Sequence, residues 1–259
     1  MGLMDGKRGI VFGIANERSY AWYITKQLLA EGATCCFSHL PGEKMARRCR
    51  QAVGEFGIED PWLMPCDVSN DEDLDALFGK LKDDFKTIDF IVHSIAFADR
   101  QFLQIGTFKN TTRQAFTQAL DISAYSLLAM AQRAVDLMPN GGSIVSMSYQ
   151  GGERVVPGYN IMGVAKAALE HTTRYLAAEL GGQNVRVNCI SGGPLRTLAA
   201  MAVAGISFMF DEHARKSPLK RNISGEEVGN TAVYLLSDAA SGVTGEILHV
   251  DCGFNIIGV

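Results

Sequence analysis

The stretch GIVFGIANERSYAW, Gly9–Trp22, decides the fold. Gly9–Phe12 is a short apolar run that stops at Gly13, and a helical pattern runs from about Ser19 to Glu31. A buried strand, a glycine turn and a helix N-terminus in that order open a βαβ unit. The helix N-terminus presents free N–H groups and positive dipole charge to a phosphate. The usual dinucleotide fingerprint at this place is G-x-G-x-x-G. Only its first glycine, Gly13, is present here. The Ser19 hydroxyl and nearby backbone N–H groups are expected to replace the others.

Outward from this stretch, strand-like and helix-like segments alternate with little waste. ATCCF (Ala33–Phe37) reads as a second strand, Glu43–Phe56 as a helix, and WLMPCDV (Trp62–Val68) as a third strand and its exit. Ser69 and Glu72 form a capping box for a helix to about Phe85. IDFIVHSIAF (Ile88–Phe97) reads as a long buried strand, and Thr112–Leu137 as one helix ending before Pro139. GSIVSMS, a helix from Gly158, NVRVNCI, a helix capped by Ser224 and Glu227, and GEILHVDCG complete the chain. Alternation of this kind implies a parallel sheet. The expected fold is α/β: a single doubly wound Rossmann-type sheet of about seven strands with helices on both faces. No linker breaks residues 1–259, so one domain is expected. Pro194–Asp211 is apolar and rich in Ala and Met. It reads either as a core helix or as a helical lid, roughly residues 195–212, whose apolar face meets an apolar substrate.

Composition removes several classes of function. The net charge of −4 leaves no basic footprint for nucleic acid. No apolar run approaches the ~18 residues of a membrane span. The N-terminus turns polar too quickly for a secretory signal, so a cytoplasmic location is expected. Six cysteines show no C-x-x-C pairing and read as small buried hydrophobes in a reduced compartment. Five scattered histidines lack ligand spacing, and no metal is expected.

The strand ends place further candidates in the crevice of such a sheet. The second strand exits through FSHLPGEK, with Leu40 where an acid often holds the ribose hydroxyls. Lys44, Arg47 and Arg48 follow, suited either to a 2′-phosphate or to a solvated helix face. NADH is favoured over NADPH. Asp67 and Val68 lie where an adenine ring would sit, although Asp67 also suits a helix start. Ser94, Ile95 and Ala96 fall at the carboxyl edge of the fourth strand.

GYNIMGVAK, Gly158–Lys166, carries a tyrosine and a lysine seven positions apart. Seven helical residues turn by roughly 700°, which puts Tyr159 and Lys166 on one face about 10 Å apart. Met162 occupies the position four before Lys166 and cannot donate a proton. Spacing alone does not distinguish a working pair from two unrelated residues.

The surroundings do distinguish them. Gly13-x5-Ser19, HSIAFAD, DISAYS (Asp121–Ser126), Tyr149-x9-Tyr159-x6-Lys166 and SGGPLRTLAA (Ser191–Ala200) occur in this order. With them the whole chain resembles the short-chain dehydrogenase/reductase superfamily, and more narrowly its bacterial enoyl-acyl carrier protein reductase branch. The resemblance implies that Tyr149, Tyr159 and Lys166 are catalytic, and that Ala98, Tyr149 and Tyr159 face the substrate. It implies a cofactor site of Gly13, Ser19, Tyr20, Leu40, Asp67, Val68, Ser94, Ile95, Ala96, Lys166, Leu195 and Thr197. It also implies an acyl carrier protein as partner and a homotetramer. Arg196, Arg215, Lys216, Lys220 and Arg221 are candidates for docking an acidic carrier. Ala96, Gly152 and Leu40 depart from the branch pattern and bear on pocket shape and cofactor choice. Two other readings stand beside this one: a carbonyl or alcohol dehydrogenase of the same superfamily, and a sensor that binds nucleotide without turnover.

Overall fold

A computed structural model of the chain describes residues 2–197, 200–202 and 206–258. Seven strands form one sheet: β1 (Arg8–Phe12), β2 (Thr34–His39), β3 (Leu63–Pro65), β4 (Phe90–His93), β5 (Gly142–Ser148), β6 (Val185–Gly192) and β7 (Ile247–Val250). Their order is β3-β2-β1-β4-β5-β6-β7, and every described pairing is parallel. Among the described residues, eight α-helices join them: α1 (Tyr20–Ala30), α2 (Glu43–Gly54), α3 (Asp71–Phe85), α4 (Arg113–Leu120), α5 (Ser126–Ala134), α6 (Asn160–Leu180), α7 (Ile206–Lys216) and α8 (Gly225–Leu236). This is the expected doubly wound α/β sheet.

Alternation along the strands builds a core on each face. Val11 enters one apolar cluster with Ile24 and Leu28 of α1 and Val228 and Ala232 of α8. Its neighbours Ile10 and Phe12 enter the other, with Leu74, Phe78 and Leu81 of α3, Met130 of α5 and Leu169 of α6. Both faces are covered, so the strands read as continuous apolar runs. All six cysteines are buried and free.

Four expectations change. β4 ends at His93, not Phe97, because Ser94–Phe97 turn out of the ladder into the crevice. The cap of α3 is Asn70, whose side chain accepts from the Glu72 and Asp73 N–H groups, while Ser69 bonds to Asp67 instead. The expected Thr112–Leu137 helix is interrupted by a π-helical turn, Asp121–Tyr125. The fourth change concerns Tyr159. It precedes α6 instead of lying within it, and Asn160 next to it has φ of +45°. The seven residues to Lys166 are therefore not one regular helical run. The capping box at Ser224 and Glu227, by contrast, forms as expected.

Candidate active site

The strand order reverses between β1 and β4, so their exits diverge and open a crevice at the carboxyl edge. Gly13 makes the sharpest demand there. Its φ is +99°, and a Cβ would overlap the Ser94 carbonyl oxygen. Only glycine brings the two exits so close. Ser19 is the N-cap of α1. Its Oγ accepts from the Trp22 N–H at 3.3 Å and donates to the Asn16 carbonyl at 2.8 Å. The hydroxyl therefore orders the turn into α1. Tyr20 donates its phenol to the Gly193 carbonyl and packs against Gly192. It braces the β1 exit against the β6 exit.

At the far side of the crevice, Leu40 is 55% exposed, and the preceding His39 Nδ1 lies 2.7 Å from the Leu40 carbonyl. Asp67 Oδ1 accepts from Ser69 N and Oγ at 3.0 and 2.7 Å, which ties this oxygen to the turn into α3. Val68 is buried beside it. Ser94 and Ile95 are half-buried and Ala96 is exposed. These placements keep the β2, β3 and β4 exits along one edge.

The π-helical turn supports the β4 exit from beneath. Ser123 Oγ accepts from the Phe97 N–H at 3.0 Å and donates to the Phe97 carbonyl at 3.2 Å. Ser126 Oγ donates to the Ile122 carbonyl and lies 2.7 Å from His93 Nε2. π-turns recur at functional sites because they redirect side chains in mid-helix. Burial, with Lys166 nearby, holds His93 down to about 3, so the imidazole stays neutral. The DISAYS motif belongs to the resemblance, but its pattern assigns no role to either serine.

Tyr149 and Tyr159 meet where β5 passes into α6, and Lys166 lies farther along α6 against the end of β5. The two tyrosine rings meet edge to face with centroids 5.0 Å apart. Gly151 makes room for the Tyr159 ring, and a Cβ on Gly163 would sit 2.6 Å from the Gly151 carbonyl. Met162 is turned into a third apolar cluster with Phe102, Leu103 and Ile161. Lys166 is buried and donates to the Met147 carbonyl at 2.6 Å. Burial brings its ammonium down to about 8, against the opposing pull of Cys189 and Glu170. Burial also pushes the Tyr149 phenol up to about 12. Burial, then the neighbouring Tyr149, Tyr20 and Glu170, carries the Tyr159 phenol well above its ordinary range. The site thus holds a phenol that stays protonated and an ammonium that burial lowers to about 8. Such a pair can hydrogen-bond a developing oxyanion and anchor hydroxyl groups.

Two residues near this pair are not foreseen from the sequence. Ser148 donates to the buried Glu170 carboxylate, whose pKa burial raises. A Cβ on Gly152 would meet that carboxylate at 2.6 Å and the Ala167 N at 3.2 Å. Asn160 is the other; the Gly-Tyr-Asn order at a helix entrance is the available signal.

The β6 exit closes the site. Thr197 is buried, and its Oγ1 accepts from the Ala200 N–H at 3.0 Å; Leu195 is half-buried beside it. Arg196 lies over the Phe210 ring at 4.8 Å. Residues 198–199 and 203–205 of the expected lid lie outside the described residues. The rest includes α7, which exposes Phe208 and turns Phe210 inward. Ala98 turns its methyl into the third cluster, and Tyr159 and Met209 pack at that cluster's edge. Of the docking candidates, Arg215 and Lys216 pair with Glu212, and Arg221 pairs with Glu227. Lys220 donates to the Arg215 carbonyl. Among the described residues, no helix is long and apolar enough to cross a membrane.

Comparison with known proteins matches this arrangement. Residues 13–255 fit the model of a family described as enoyl-(acyl carrier protein) reductase. The chain is 47% identical over 258 residues to an enoyl-acyl-carrier-protein reductase (NADH) of Nostoc sp., covering 99% of each chain. It is 48% identical to the corresponding protein of Synechocystis sp., again over 99% of each. The crystal structure of the Bacillus cereus enoyl-acyl carrier protein reductase with NADP+ and indole naphthyridinone superposes with a TM-score of 0.96, at 46% identity over 100% of both chains. A reductase from Anaplasma phagocytophilum in complex with NAD gives 0.94 at 43% identity, over 100% of this chain and 97% of that one. With this fold, a family model spanning residues 13–255 and full-length relatives at 47–48% identity, the chain belongs to the enoyl-acyl carrier protein reductase family.

Proposed function

We propose that the chain reduces the trans-2 double bond of enoyl thioesters carried on acyl carrier protein, the last step of the type II fatty acid elongation cycle. NADH, when bound, supplies the hydride that adds to the β-carbon. The residues present fit that group: Gly13 leaves the first turn without a Cβ, and Lys166 keeps two N–H donors after its bond to Met147. Lys166 anchors the ribose hydroxyls and adds positive charge to the site. Tyr159 donates its phenol to the thioester carbonyl oxygen and holds the negative charge that collects there as an enolate. Protonation at the α-carbon completes the reduction. Tyr149 backs Tyr159 and lines the substrate side. Gly13, Ser19, Tyr20, Ser94, Ile95, Ala96, Leu195 and Thr197 shape the pyrophosphate and nicotinamide ends, and Leu40, Asp67 and Val68 the adenosine end.

The observation that carries this reading is the displacement of the acid. Met162 fills the slot four before Lys166 with a buried thioether, and the available phenol sits seven before, ahead of α6. A carbonyl reductase attacks the carbon bearing the oxygen, so its acid sits close to the nicotinamide. An enoyl reductase attacks two bonds farther away, so its acid belongs farther out while the lysine stays in place. Membership of the family supports a carrier-protein partner, a cytoplasmic location and a homotetramer, with the region of α7 as a lid over the acyl chain. Initial rates on C4 to C12 enoyl thioesters with NADH and NADPH, beside acetoacetyl thioester, test the reading. Turnover of the enoyl series with NADH is expected. Faster reduction of acetoacetyl thioester would overturn it.

A further inference from the structure

Asn160 does two things at one position. Its φ of +45° is a conformation that asparagine tolerates far better than alanine or branched residues. This left-handed step separates Tyr159 from α6 and lets its ring meet Tyr149 edge to face. The Asn160 side chain meanwhile crosses to a different part of the molecule. Nδ2 donates to the Phe102 carbonyl at 2.7 Å and the Gln104 carbonyl at 2.8 Å, with Thr107 Oγ1 at 3.3 Å.

The segment that it grips is otherwise held by its own turns and by apolar packing. Residues 100–111 contain two short 3-10 turns, Arg100–Phe102 and Phe108–Asn110. Among the described residues, their other hydrogen bonds stay within residues 99–111. Phe102 and Leu103 are buried in the third apolar cluster, while Ile105 and Phe108 are exposed. That cluster has Tyr159 and Met209 at its edge. An acyl chain whose carbonyl sits at the Tyr159 phenol must run along an apolar surface leading away from it, and this segment supplies one.

We propose that Asn160 is a positioning residue that clamps the acyl-chain wall, residues 100–111, to the backbone of the acid Tyr159, and so sets the preference for chain length. The proposal rests on the enoyl-reductase reading above. A short C4 chain ends near the phenol and depends little on the wall. A C12 chain runs along it, and a wall that is already ordered costs less to bind.

Three variants separate the roles. Asn160→Gly keeps the positive φ and deletes the amide. Asn160→Asp keeps the shape and turns the donors into acceptors facing carbonyls. Asn160→Ala loses both the amide and the tolerance for the backbone conformation. In Asn160→Gly and Asn160→Asp, kcat/KM for the C12 enoyl thioester is expected to fall about tenfold relative to that for C4, the effect of losing about two neutral hydrogen bonds. Asn160→Ala is expected to lower kcat at both lengths as well. Equal fold-changes at C4 and C12 in both of the first two variants would overturn the proposal. Amide hydrogen exchange, read without substrate, separates this outcome from failure of the enoyl-reductase reading. Exchange in residues 100–111 is expected to accelerate in both of the first two variants while β5 stays protected, and unchanged exchange there would remove the clamp. Absence of wild-type C4 turnover would instead count against the reaction.

Discussion

The turn from β1 into α1 and the passage from β5 into α6 solve opposite problems. The first is made of backbone. Gly13 contributes by lacking a side chain, Ser19 spends its hydroxyl on the cap, and Tyr20 spends its phenol on Gly193. The second is made of side chains, half-buried Tyr149 and Tyr159 and buried Lys166, whose pKa values burial has shifted. One end is sensitive to atoms added, the other to polar atoms removed. Recognition of a phosphate needs close approach of N–H groups, whereas stabilising a transient charge needs donors held out of water.

The sharpest test of this contrast is Tyr159→Phe. It removes one hydroxyl and leaves the ring on Tyr149, so kcat for enoyl-thioester reduction is expected to fall about 100-fold. NADH binding, followed by titration, should hardly change. A variant that keeps its rate would show that the phenol holds no charge. Gly13→Ala tests the other end by addition. Its methyl would press on the Ser94 carbonyl at a strained φ, and NADH affinity is expected to fall about tenfold or more with a smaller change in kcat. Equal loss in both parameters would mean that the β1 turn serves chemistry as well as binding. The third test is pH. Lys166 is lowered to about 8, so it is charged below that value and loses its proton above it. With NADH varied, kcat/KM is expected to fall about tenfold per pH unit above this point. Lys166→Arg should remove that limb from the profile. A limb that persists in the arginine variant would belong to another group.

The same contrast divides what the amino-acid sequence reveals from what it hides. Backbone sites announce themselves locally: a glycine after an apolar run and a serine before a helix suffice to place Gly13 and Ser19. Strand and helix alternation is legible for the same reason, since apolar period reports which faces are covered. Side-chain sites depend on partners far away in the chain. Ser148 meets Glu170 across 22 positions, and no local pattern announces it. Asn160 reaches back to Phe102, 58 positions earlier. The β4 exit reads as strand because Ser94–Phe97 continue the apolar run, although their backbone has left the ladder. Helical phase treats Tyr159 and Lys166 as residues of one regular helix, but Tyr159 precedes α6 and one left-handed residue, Asn160, undoes the calculation.

The π-helical turn at Asp121–Tyr125 acts as a change of reading frame within one helical rod. Before it, Ala115 and Ala119 of α4 face the apolar wall beside Tyr159; after it, Leu127, Met130 and Ala134 of α5 face the sheet. A single extra residue in the turn lets one rod serve two unrelated surfaces, each with its own phase. Insertions and deletions between Arg113 and Ala134 are therefore frameshifts in three dimensions. They would leave composition and helical propensity almost unchanged, yet rotate the core half and the site half out of step with each other.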